Sequence, residues 1–130
     1  MFKNYIYAAM AGLAIGFFTI YIFPTEFELF LWPVLIVAIV YFTAMTQKTS
    51  PFWAGFWYAL VVAVSITITH LILIKDYLLS HPEEKQRINN YDPDLAPQLA
   101  LLMVAPVYWL IFGALSGLLA ILWTKVQKDN

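Results

Sequence analysis

Residues 60–70 read LVVAVSITITH, and this stretch decides the fold. Wound as a helix it carries only small hydroxyls (Ser65, Thr67, Thr69) and one imidazole (His70), with no charge on any face. A helix lying on a water-soluble core shows a polar face repeating every 3.6 residues, and none exists here. The stretch sits inside an uncharged window, 49–74, bounded by Lys48 and Lys75. Three more such windows cover 4–25, 29–47 and 95–124, so all seven Lys and Arg and all eight Asp and Glu fall between or beyond them. An apolar helix rising about 1.5 Å per residue needs roughly 20 residues to cross a hydrocarbon layer about 30 Å thick, and each window is long enough. The expectation is an all-α integral membrane protein: four transmembrane helices in an antiparallel up-down bundle, with a short polar helix or loop between helices 3 and 4.

Composition agrees. Of 130 residues 62% are hydrophobic and 12% charged, with mean hydropathy +0.76, whereas a soluble domain holds about 45–50% apolar and about 25% charged residues. The length suits one domain over 1–130. A net charge of −1 gives no basic patch and hence no expectation of nucleic acid. The absence of cysteine excludes disulfides, thiolate metal sites and cysteine lipidation. The first window is long for a signal peptide, has only Lys3 before it and lacks a small-x-small site after Phe23, so it reads as a retained span.

The spans fall at about 5–23, 30–45, 52–76 and 98–124, the first ended by Pro24 and the second carrying Pro33 in its first turn, where a missing N–H costs little. The third has a pattern that runs on to Leu79. Both termini then share one side with the connector 46–51, a side holding Lys3, Lys48, Lys125 and Lys128 against Asp129. The other side holds Lys75, Lys85 and Arg87 among seven acids (Glu26, Glu28, Asp76, Glu83, Glu84, Asp92 and Asp94). Lys and Arg favour the cytoplasm, which places both termini there and the chain as a multi-pass protein of the cell (inner) membrane. Trp32 near one boundary and Trp53, Trp57 and Trp123 near the other fit the interfacial preference of indole, while Trp109 falls mid-span.

Helices in lipid associate where small residues let backbones approach. Ala8, Gly12 and Gly16 form such a row in span 1; Gly55, Ala59, Ala63 and Thr67 in span 3; Gly113 and Gly117, extended by Ala120, in span 4. Spans 1, 3 and 4 are therefore expected to pack closely, with span 2 more peripheral.

Candidate chemistry is sparse. His70 falls on the small-residue face of span 3 and points at a helix interface. There it reads first as a residue bonded to a hydroxyl or water, with an interhelical hydrogen bond, a quinone contact or a ligand shared with a second subunit as its possible functional uses. His81 is assigned to the loop, which leaves the two histidines poorly placed to bracket a haem. Pro106, Tyr108 and Trp109 cluster mid-span: the proline frees the carbonyl of Leu102, and the phenol and indole both want partners. That cluster is the best candidate for an interface or ligand cleft, against the plainer reading of a packing kink. Ser116 lacks the glycine at 114 of an intramembrane serine protease motif and has Ala114 instead. It also stands only about 12 Å above one span end where His70 stands about 27 Å above the corresponding end of span 3, so no Ser–His dyad forms. Asp92 and Asp94 mimic the opening of a calcium loop without its glycine or closing glutamate; Asp94 reads as the N-cap of span 4 and Ser80 to Glu83 as a capping box.

The layout resembles the small uncharacterised four-helix inner-membrane proteins of bacteria. The features that carry this are AGLAIG (11–16), SPFWAGF (50–56), the acidic loop with Tyr91 to Asp94, and FGALSG (112–117) in a last span ending in lysines. The resemblance implies the four-helix fold and no activity. With no charge in the spans, no phosphate loop and no zinc helix, the expected role is a non-catalytic subunit that packs or scaffolds within a larger membrane complex. Its partners are the bilayer and other subunits or further copies of itself, with no enzyme activity, cofactor or metal. A small oligomeric transporter or channel is the alternative.

Overall fold

Three prolines start helices, while Pro33 and Pro106 fall inside them; Pro33 is not in a first turn as expected, because its helix begins at Thr25 and not at 30. Pro51, Pro82 and Pro97 each stand first in a helix, where the missing N–H would have had no partner and the fixed φ suits the first turn. The computed structural model describes residues 2–23, 25–46 and 50–129. Among them are six helices and no strand: α1 Phe2–Tyr21, α2 Thr25–Thr46, α3 Pro51–Ile72, α4 Ile74–Ser80, α5 Pro82–Tyr91 and α6 Pro97–Asp129. Four of these, α1, α2, α3 and α6, are long and apolar enough to cross a membrane. The readings placed on Pro24 and on the connector around Lys48 lie outside the described residues.

α3 is the centre. Its most extensive partners are α6 and α1, while α2 packs on α6 and α3. Contacts of α1 with α3 advance in step, from Asn4 on Tyr58 to Thr19 on His70. Those of α3 with α6 run in opposite order, from Gly55 beside Ser116 to Thr67 beside Trp109.

The glycines explain how close these pairs come. A Cβ on Gly12 would stand 2.6 Å from the carbonyl oxygen of Val62 and 2.7 Å from Ser65 Cβ, and one on Gly16 2.7 Å from Thr69 Cβ. On the other side of α3, Gly55 abuts the Ser116 carbonyl, while Phe56 and Phe52 lie over Gly113 and Gly117. Ala59 and Ala63 are buried in the central cluster and Ala8 packs against it.

The sequence grouping needs two corrections. α1 and α6 each close on α3 but do not pair extensively with each other. Nor is α2 peripheral: Leu35 and Ile39 enter the central cluster with Tyr58, Val62, Ile66 and Phe112. It lacks small residues because it joins through rings instead, with Trp32 edge-on to Phe112 at 5.3 Å and Phe42 edge-on to Tyr58 at 5.3 Å.

Three boundary expectations also change. The third helix ends at Ile72, not 76, because Leu73 leaves helical geometry (φ −103°, ψ 33°); the break redirects α4 so that Ile74 and Tyr77 bury against Ile20. Ser80 does not cap α5, whose cap position is His81; its hydroxyl lies 2.9 Å from the Tyr77 carbonyl instead. Asp94 does not cap α6, which begins at Pro97; its N–H donates to Asp92 Oδ1 in a local turn (3.0 Å).

Candidate functional site

At the α3–α4 end of the bundle, polar groups from five helices converge. His70, on the last turn of α3, is 6% exposed, and its Nε2 lies 2.8 Å from Thr19 Oγ1 of α1. That hydroxyl donates its hydrogen to the carbonyl of Gly16 (2.8 Å), so it can only accept from the imidazole, which fixes the proton on Nε2. The Gly16 carbonyl also bonds the ring, and in the uncharged form Nδ1 keeps a lone pair to which no hydrogen bond is found among the described residues.

Tyr77 and His81 complete the cluster. Tyr77 stacks on His70 with centroids 4.3 Å apart and on His81 at 4.4 Å, while the two imidazoles stand 6.5 Å from each other, so the three rings form a bent group and not a column. His81, 2% exposed, presents Nε2 to Glu28 at the start of α2 (2.9 Å). Its Nδ1 faces the Tyr77 carbonyl (3.1 Å) and Ser80 Oγ (2.8 Å). With that hydroxyl able to bond the same carbonyl, both ring nitrogens serve as donors, which is the pattern of the imidazolium. Burial opposes the charge on His81, but the hydrogen bond and the charge of Glu28 outweigh it and hold its pKa above the ordinary value. Burial pushes the Tyr77 phenol up, with Glu28 and Glu84 adding to the effect, so it stays protonated. Thr25 Oγ1 ties α2 to the end of α4 through the Ser80 carbonyl (2.9 Å).

Beside this cluster lies a cavity of about 560 Å³, walled by α3 and α6 and rimmed by α2, α4 and α5. His70, Tyr108 and Trp109 all line it, so the structure brings together most of the sequence candidates; Pro106 is exposed and takes no part in the lining. Trp109 turns inward and donates Nε1–H to Thr67 Oγ1 (3.0 Å), which donates in turn to the Ala63 carbonyl (3.0 Å). Tyr108 is 59% exposed at the cavity edge. Glu28, Glu84 and Arg87 supply the charges of the rim, Arg87 bonded to Glu84 at 2.8 Å. Thr67→Val keeps the shape but leaves the half-buried indole N–H unpaired, and is expected to cost about 1 kcal/mol, read as a lowered unfolding midpoint in detergent with altered tryptophan emission.

Ser116 is fully buried beside Gly55, at the far end of α3 from His70, and its hydroxyl finds no partner among the described residues. No group of three His, Asp or Glu among the described residues is arranged to hold a metal ion.

Sequence reasoning missed Thr19, Glu28, Tyr77 and His81. A signal existed for two of them: 70, 77 and 81 are spaced seven and four apart, the spacing of one helix face. Assigning His81 to a polar loop hid it. Glu28, 53 residues away in the chain, left no local trace. No known protein family matches the chain, and no curated protein or solved structure is similar to it.

Proposed function

We propose that the chain is a multi-pass protein of the cell membrane, an antiparallel up-down bundle with cytoplasmic termini, acting as a non-catalytic subunit that packs within a larger membrane assembly. Charge distribution supports the orientation: Lys3 and Lys125 lie toward the Tyr58–Gly55 end, and Glu28, Glu84 and Arg87 lie at the His81 end. The observation that carries the subunit role is the way α1 is held. It is fastened along one side by α3 and α4, while Tyr7, Met10 and Phe17 on it stand exposed. A rigid helix with an open apolar face offers a ready contact surface to a neighbouring helix. Solubilised in mild detergent at native expression, the protein is expected to run well above its 14.9 kDa monomer, with the same partners or copies recovered each time; a lone monomer would overturn the reading.

The cavity favours a second reading, a small oligomeric transporter or channel. In liposomes this reading expects solute flux that falls on His70→Ala or Trp109→Ala, and flux unchanged in both variants removes the cavity from any transport path.

A further inference from the structure

The geometry points to the cavity as a binding site for an uncharged amphiphile: a small hydroxyl-bearing head against His70, with an apolar tail lying along α6. This goes beyond the subunit role and stands or falls separately from it.

Size comes first. At about 560 Å³ the cavity lies within the roughly 300–1,000 Å³ span of small-molecule sites. It is too large to stay empty and too apolar over most of its wall to be filled by ordered water, which needs two to four polar partners. Ala63, Ile66, Leu101, Val104 and Ala105 form that wall, with Trp32 and Trp109 also lining it. Small residues at 63 and 105 make room, and the indoles offer flat faces.

Charge then narrows the head. Glu28 is answered by His81 and Glu84 by Arg87, so the rim holds neither a free carboxylate to draw a cation nor a free guanidinium to draw an anion. A charged head entering here would break an existing pair. Hydrogen-bond direction narrows it further. Thr19 holds the proton of His70 on Nε2, which leaves Nδ1 as a lone-pair acceptor on a side chain that lines the cavity. An acceptor so placed asks for a donor, and the uncharged donor common among membrane amphiphiles is a hydroxyl. Lipid alcohols and tailed hydroquinones share that chemistry.

The test uses the full chain in phosphatidylcholine nanodiscs and a dodecanol probe bearing a mid-chain diazirine, with its methyl ether as the control. Irradiation is expected to label residues 101–109 saturably, and the alcohol to bind about tenfold more tightly than the ether, the worth of one buried hydrogen bond left unmade. His70→Phe keeps a flat ring against Tyr77 and removes the Nδ1 acceptor, while the Thr19 hydroxyl still donates to the Gly16 carbonyl; it should bring the alcohol down to the ether's level and leave the ether unchanged. Ala100→Trp, at a half-buried lining position, should abolish saturable labelling of both. Displacement by unlabelled 1-alkanol or by an alkyl-hydroquinone supports the site and identifies its source as lipid alcohol or quinol. Labelling that never saturates, equal binding of alcohol and ether, or displacement by neither competitor overturns it.

Discussion

Gly12→Val is expected to destabilise the protein by about 3 kcal/mol, at the upper end of what overpacking costs. The reason lies in what the new side chain would meet. Even the first added carbon would stand 2.6 Å from the carbonyl oxygen of Val62 and 2.7 Å from Ser65 Cβ. Both belong to a helix held on its other side by α6, so neither can retreat. α1 must move away as a body, and with it goes the seam at Gly16, where Thr69 Cβ is equally near, and the bond from Thr19 to His70. Gly113→Ala makes the informative contrast: the atoms it would meet first are carbons of the Phe56 ring at 2.9 Å, the backbone oxygen standing back at 3.3 Å. A ring can turn where a carbonyl cannot, and a cost below about 1 kcal/mol is expected there. Unfolding midpoints of the two variants in a detergent–SDS series give the comparison. Equal midpoints, or Gly113→Ala the worse, would mean that the α1–α3 seam is not the rigid element described.

This seam also shows what the sequence makes legible. The four long helices follow from where the charges are not, because a burial cost that applies to every charge leaves its mark on every window. The glycine and alanine rows follow from a local spacing rule, and the structure places Gly12, Gly16, Gly55, Gly113 and Gly117 in direct interhelical contact. What a row does not say is which helix it faces; the rows of α1 and α6 both face α3 and not each other. The same limit governs the site. Trp109 declares a need for an acceptor, but its partner Thr67 looked like one more small packing residue. The break at Leu73 has no glycine or proline to announce it, since it arises from burying Ile74 and Tyr77 against Ile20 on another helix. His81 is surrounded in sequence by Ser80, Pro82, Glu83 and Glu84, and hydropathy alone puts it in water. Only the return of α2 past α4 brings Glu28 to it and makes burial of that imidazole tolerable.

That pair sets the second large effect: stability should fall as pH rises from about 6 to about 9. In the unfolded chain His81 titrates near 6.5, and in the fold its pKa is raised, so the folded state holds the proton more tightly. The contribution of the pair is fully present below the unfolded value and is lost as pH climbs through the folded one. The groups facing His81 come from four helices: Glu28 from α2, His70 from α3, Tyr77 from α4 and Glu84 from α5. Tyr77 stays protonated across this range, since its own pKa is raised. His81→Gln should flatten the profile between these pH values, because an amide can still bond Glu28 but has no proton to lose. Glu28→Leu should remove the fall and turn it into a slight rise above pH 6, since burial alone lowers the His81 pKa, and should cost about 2 kcal/mol at pH 6. The imidazole left behind would discard its charge, keep Nδ1–H on the Tyr77 carbonyl, and bury Nε2 without a partner. Unfolding midpoints of the three proteins at both pH values decide the matter, and a wild-type midpoint that stays level or rises would show that the fold holds the proton of His81 no more tightly than the unfolded chain does.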